Sequence, residues 1–144
     1  MAVLSLYEED YVEWLEVTLK QLQSRDLEKL DWQHLIEEIE GLGREQKNKV
    51  ESYLRQLLKH LLLYQYWESE KPYCTSGWIE EIDNFRAELE ILLRSKTLYN
   101  YLVSILEPTY RKARRSAALK SGLEVFPEVC PYRLEEILSV ATKP

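Results

Sequence analysis

Glycine and proline are scarce in this chain, at four and five of 144 residues. Glycine permits backbone turns that other residues resist, and proline removes a backbone donor. With so few of either, the chain has little punctuation and must run in long continuous elements. Cysteine is scarcer still. Cys74 and Cys130 lie far apart, and their positions match no redox or metal-ligand spacing. They read as two free thiols of a reducing cytosol, so the expected location is cytoplasmic. Histidine occurs only as His34 and His60. With so few ligands no metal and no cofactor is expected. No apolar run approaches the ~20 residues of a spanning helix. The opening MAVLSLYEED has no basic stretch before an apolar one. Neither a membrane span nor a signal peptide is therefore expected. A phosphate-cradling glycine loop and a nucleophile elbow are missing too.

Tyrosine and tryptophan are plentiful by contrast: 10 Tyr and 4 Trp stand against 2 Phe. Such side chains bury a large body but keep a polar tip that needs a partner. Hydrophobic residues make up 45% and charged residues 31%, an ordinary balance for a globular protein. The net charge of −6 argues against a nucleic-acid binder that uses its whole surface, though not against a local basic patch. At 144 residues a single domain, 1–144, is expected, long enough to bury a core without staples.

Helical periodicity dominates the pattern. Ser5 and Glu8 form a capping box, and a stripe of Tyr7, Tyr11, Trp14, Leu15, Thr18, Leu19 and Leu22 follows. Asp26 can cap a short turn. Asp31 can cap a second helix with Trp32, Leu35, Ile36 and Ile39 inward, and Gly41 and Gly43 mark a corner after it. The spacing predicts the longest helix over about 44–67, with Val50, Tyr53, Leu54, Leu57, Leu58, Leu61 and Tyr64 inward. Residues 69–76 read as a loop around Pro72, with Ser76 capping a fourth helix that carries Trp78, Ile82, Phe85, Leu89 and Leu92. A break at 95–97 separates a fifth helix. Pro108 then suits the first turn of a sixth, which Gly122 ends. In the tail Phe126 and Tyr132 anchor the chain, and Leu134, Ile137 and Leu138 form a short helix. No segment alternates as a strand would. The expected fold is all-α, an antiparallel bundle of about five to six helices with a short C-terminal helix.

Four constellations could carry chemistry. The carboxylates Asp31, Glu37, Glu38 and Glu40 cluster near His34, without the Glu-x-x-His pairs of a bundle metal site. They read as a solvated face with boundary carboxylates. His60 lies on or beside an apolar face, where an imidazole serves either as a general base or as a hydrogen-bonded core residue. The third is the basic helix 110–120. Arg111, Lys112, Arg115 and Lys120 are candidates for binding phosphate or an acidic partner, while Arg114 flanks a narrow stripe of Tyr110, Ala113 and Ala117. If its helix packs on that of Glu38, Arg114 and Glu38 would lock together. The fourth, Cys130, is either a thiol of lowered pKa at a helix start or part of a rigid tail.

Three segments, L-D-W-x-x-L-x-E-E-I-E-x-L-G over 30–43, H-L-L-x-x-Q-Y-W over 60–67, and F-P-x-x-C-P-Y over 126–132, occur in order. With them the chain resembles the bacterial family called domain of unknown function 29. The resemblance implies a small all-helical fold in the cytoplasm, and it transfers no catalytic residues. The functional expectation is a protein-interaction module that binds another protein or itself. One alternative is a hydrolase or nuclease using Glu38, His60 and Arg114. The other is nucleic-acid binding through the basic helix.

Overall fold

The computed structural model describes residues 3–139, and every regular element among them is helical. The elements are α1 (Leu6–Glu9), α2 (Tyr11–Gln23), a 3-10 turn (Leu27–Lys29), α3 (Trp32–Tyr66), a second 3-10 turn (Glu68–Glu70), α4 (Lys71–Leu92), α5 (Lys96–Ser121) and α6 (Leu134–Leu138). The chain divides into two compact units, Met1–Arg44 and Glu45–Pro144.

In the first unit, Ser5 caps α1 through a bond from the Glu8 amide to its hydroxyl. The single helix expected from there is two. Asp10 takes an extended conformation, ends α1, and caps α2 by accepting from the Glu13 amide at 3.1 Å. Asp31 caps α3, accepting from the His34 amide at 3.3 Å. Contacts of Trp14 with Asp31 and of Tyr11 with Glu38 pair an earlier position of α2 with a later position of α3. The two helices therefore run antiparallel as a hairpin.

The expected corner at Gly41 and Gly43 does not form, because α3 runs through both. Glycine permits the left-handed conformation without imposing it, and Gly122 is the glycine that adopts it, with φ 73° where α5 ends. The expected loop at 69–76 is also shorter. Pro72 lies in the first turn of α4, where its missing N–H costs nothing, so the helix begins at Lys71 and Ser76 falls inside it. The break before α5 forms, and Ser95 caps it. Pro108, in contrast, sits inside α5 and starts no helix. Buried Leu102 on one side of it, and Thr109, Tyr110, Ala113 and Ala117 on the other, hold the helix together across the missing bond.

The second unit contains a continuous core. Its centre is Val50, Leu54, Leu57, Leu58, Leu61, Leu62 and Leu63 of α3, with Trp78, Ile82 and Leu89 of α4 and Leu98, Leu102 and Tyr110 of α5. Phe126 of the tail and Ile137 of α6 complete it. The tail is fastened by polar bonds as well as by apolar contact. The Tyr110 hydroxyl donates to the Pro127 carbonyl, and the Tyr132 hydroxyl to the side chain of Gln65. Arg86, only 4% exposed, donates to the Ile137 and Glu136 carbonyls, both at 2.8 Å. Those carbonyls belong to the last turn of α6, where no intrahelical donor is available.

Candidate functional site

The first unit builds a closed polar network between α1, α2 and α3. Both oxygens of Glu38 accept from phenols: one from Tyr7, the other from Tyr11 at 2.7 Å. These bonds hold the Glu38 carboxyl below its usual range and push the Tyr7 phenol up to about 12. The Tyr7 ring stacks on His34 with centroids 4.0 Å apart and meets Trp14 edge-on. His34 Nδ1 lies 2.6 Å from the Asp31 carboxylate, which also accepts from the Trp14 indole at 3.2 Å. A carboxylate only accepts, so Nδ1 carries the proton. Asp31 raises the His34 pKa against the opposing effect of burial, and His34 lowers that of Asp31.

This network commits its groups to one another. Glu38 has no oxygen without a phenol donor, which leaves it poorly placed to act as a base. His34 is oriented by Asp31 with Nε2 left over, the arrangement in which an imidazole moves protons. Of the two histidines it is the better placed for such work, and the sequence pointed instead to His60.

Around the network, large apolar side chains stand in solvent. On α2 these are Tyr11, Val12, Leu15, Leu19 and Leu22, with Val17 on the other flank of the helix. On α3 they are Trp32, Ile36, Ile39 and Leu42. Only Trp14, Thr18 and Leu30 are buried among the unit's described residues. At about 100° per residue, the α2 stripe lies roughly a quarter turn from Trp14 and Thr18. The α3 stripe is centred about a third of a turn from His34 and Glu38, in the same rotational sense, with Ile36 at its far edge opposite them. In antiparallel helices, rotations in the same sense bring both stripes toward one side. The hairpin therefore has one broad apolar face.

In the second unit, His60 Nδ1 lies 2.7 Å from the Gln56 carbonyl of its own helix, and its ring packs near Phe85. Burial lowers its pKa, so the neutral form is favoured. Arg114 donates through Nε to the Phe126 carbonyl at 3.1 Å, joining α5 to the tail. No hydrogen bond or ion pair joins His60 to Arg114 among the described residues. Glu38 belongs to the first unit. The partners of the two residues expected to lock together are thus Tyr7 and Tyr11 for one and Phe126 for the other. Cys130 is half-buried, and burial pushes its thiol up, opposite to the lowered value a reactive thiol would have. Arg111, Lys112, Arg115 and Lys120 are exposed. Lys112 is paired with Glu51 at 2.8 Å, while Lys120 and Arg55 both repel Lys59. Among the described residues no three of the His, Cys, Asp and Glu side chains gather as metal ligands would.

The model of the family described as domain of unknown function DUF29 matches residues 6–141. The chain belongs to that family. No curated protein and no solved structure matches it. The DUF29 match takes in both units and every helix, so the network, the apolar face and the basic helix all lie within the family's domain. None of the helices among the described residues of this DUF29 chain is long and apolar enough to cross a membrane.

Proposed function

We propose that this DUF29 protein is an interaction module and that the apolar face of its N-terminal hairpin is the docking surface. The observation that carries the reading is the imbalance in that unit. Six large apolar side chains of α2 and four of α3 stay exposed, while only three of the unit's described residues are buried. Isolated exposed hydrophobes are ordinary, but a contiguous apolar face of several hundred Å² marks a surface made for a partner. The half-buried network backs this face, since Glu38, Tyr7, Tyr11, Trp14 and Asp31 fasten α1 and α2 to α3. The two free thiols fit the cytoplasmic setting expected for the chain.

The test compares the full chain with a Leu19→Glu, Ile39→Glu double variant. Both positions are exposed, so helical content should be retained. A protein that co-purifies with the wild type, whether another chain or more of the same, should be lost from the variant. Undiminished association by a folded variant would refute the reading.

A further inference from the structure

We infer that the occupant of the hairpin's apolar face is a second copy of this chain, the two hairpins closing into a four-helix arrangement. The inference rests on the docking reading above and names its partner.

The spacing suits a helical partner. Val12, Leu15, Leu19 and Leu22 follow one another by three, four and three residues, and Trp32, Ile36 and Ile39 by four and three. That is the seam pattern by which helices interlock side chains with other helices. A second hairpin presents two antiparallel stripes on one side, which is what this face requires from the other. The match is also self-complementary, as a two-fold interface must be.

The area agrees. The nine side chains of the face together leave on the order of 900 Å² exposed, against about 800 Å² contributed by each partner of a standard stable interface.

Gly43 is a further indication. It continues the α3 stripe four residues after Ile39, inside a helix where glycine is unfavourable. A Cβ built there would meet nothing within 4 Å, so nothing in the chain's own packing requires glycine. A neighbouring helix approaching the seam closely would have room there.

The experiment measures the mass of the full chain by sedimentation across a concentration series, for the wild type and for Leu19→Glu, Ile39→Glu, Gly43→Ala and Leu119→Glu. Leu119 is 76% exposed on α5, outside the face, and serves as the control. The wild type should sediment at twice its 17.2 kDa mass. Leu19→Glu and Ile39→Glu should be helical monomers, with dissociation constants raised at least a hundredfold. Gly43→Ala should raise the constant about tenfold, and Leu119→Glu should leave it unchanged. A wild-type dimer indifferent to the face variants would overturn the inference. So would a wild-type monomer that binds an apolar dye and loses it on Ile39→Glu. That result leaves the docking reading standing for a different partner. A wild-type monomer that binds no dye, and that Ile39→Glu unfolds, has the face covered within one chain and overturns both. If the face variants do not fold, amide exchange of the wild type decides. Protection of α2 and of residues 32–43 must rise with concentration, and constant protection overturns the inference.

Discussion

Replacing Arg86 tests how the second unit holds its C-terminal helix. The guanidinium is almost wholly buried, and it donates from Nε to the Ile137 carbonyl and from Nη2 to that of Glu136. Two effects oppose each other in Arg86→Met. The variant no longer strips water from a cation, a desolvation strong enough that burial lowers the Arg86 pKa against the pull of Asp83. It also leaves two helix-end carbonyls without these donors, beside Ile137, which is fully buried. A hydrogen bond from a charged donor is worth about 1.5–3 kcal/mol net of its desolvation, so losing two wins over the water regained. We expect a loss of roughly 3 kcal/mol, with Met filling most of the volume so that little of it comes from a cavity. If the unit unfolds as a whole, Tm should fall by about 10–20 °C. If α6 alone undocks, the Ile137 and Ser139 amides, which bond to the Arg133 and Glu135 carbonyls, should exchange about 100-fold faster, at 1.4 kcal/mol per tenfold. Arg86→Lys keeps the charge but not the fork, and should fall between. A Met variant within about 0.5 kcal/mol of wild type, with unchanged exchange, would refute the clamp.

In the first unit the carboxyls of Glu38 and Asp31 are lowered from 4.5 and 3.8, and His34 is raised from 6.5. The carboxylates' contribution is present above those ordinary values and is lost as pH falls through the lowered folded ones. The His34 contribution is full below 6.5 and is lost as pH rises through its raised value. Amide protection of α2 should therefore peak between these limits, and a flat profile would count against the network. His60 is shifted the opposite way by burial, so its contribution is present above 6.5 and is lost as pH falls toward its lowered folded value. In a proton NMR titration His34 should change above 6.5 and His60 below, and a reversed order would contradict both environments. Burial lowers the Lys59 pKa first, with Lys120 and Arg55 adding to it. Lys120→Glu should thus stabilise the second unit by about 0.5 kcal/mol, less in high salt, as thermal melts would report. Destabilisation in low salt would show that the cationic cluster is not strained.

Much of the fold was legible where a single side chain decides a boundary. Ser5 and Asp31 cap helices as their positions suggest, the chain breaks at Ser95, and Gly122 ends a helix. Phe126 and Tyr132 anchor the tail because large aromatic residues beside proline have little else to do. Gly41, Gly43 and Pro108 all read as breaks, yet α3 and α5 continue through them. Pro108 has buried Leu102 on one side and buried Thr109 and Tyr110 on the other, and a proline cost of about 3 kcal/mol is smaller than what several buried neighbours supply. No residue from 31 to 49 is buried, so at Gly41 and Gly43 only the helix cost of glycine, about 1 kcal/mol each, stands against continuation. Arg86 had a signal that went unread. It stands four residues after Ile82 and three before Leu89, a charge inside an apolar stripe, and such a charge must find partners. The Tyr7–Glu38 and Tyr11–Glu38 bonds span 31 and 27 residues, and periodicity within one helix is silent about pairs so far apart.

The stripe on α2 shows why the proposed docking surface was hidden in plain view. Periodicity reports that side chains share a helix face; it does not report what covers that face. Tyr7, Tyr11, Trp14, Leu15, Thr18, Leu19 and Leu22 read as one inward stripe, but the structure divides them. Trp14 and Thr18 are buried toward α3, and Tyr7 and Tyr11 reach over to Glu38, whereas Leu15, Leu19 and Leu22 are exposed. A stripe this wide exceeds what one neighbouring helix can cover. A helix in a two-helix layer buries only a narrow band, whereas a helix in a four-helix arrangement buries two adjoining bands. Residues 11–22 are thus patterned for two neighbours, and the first unit supplies one of them.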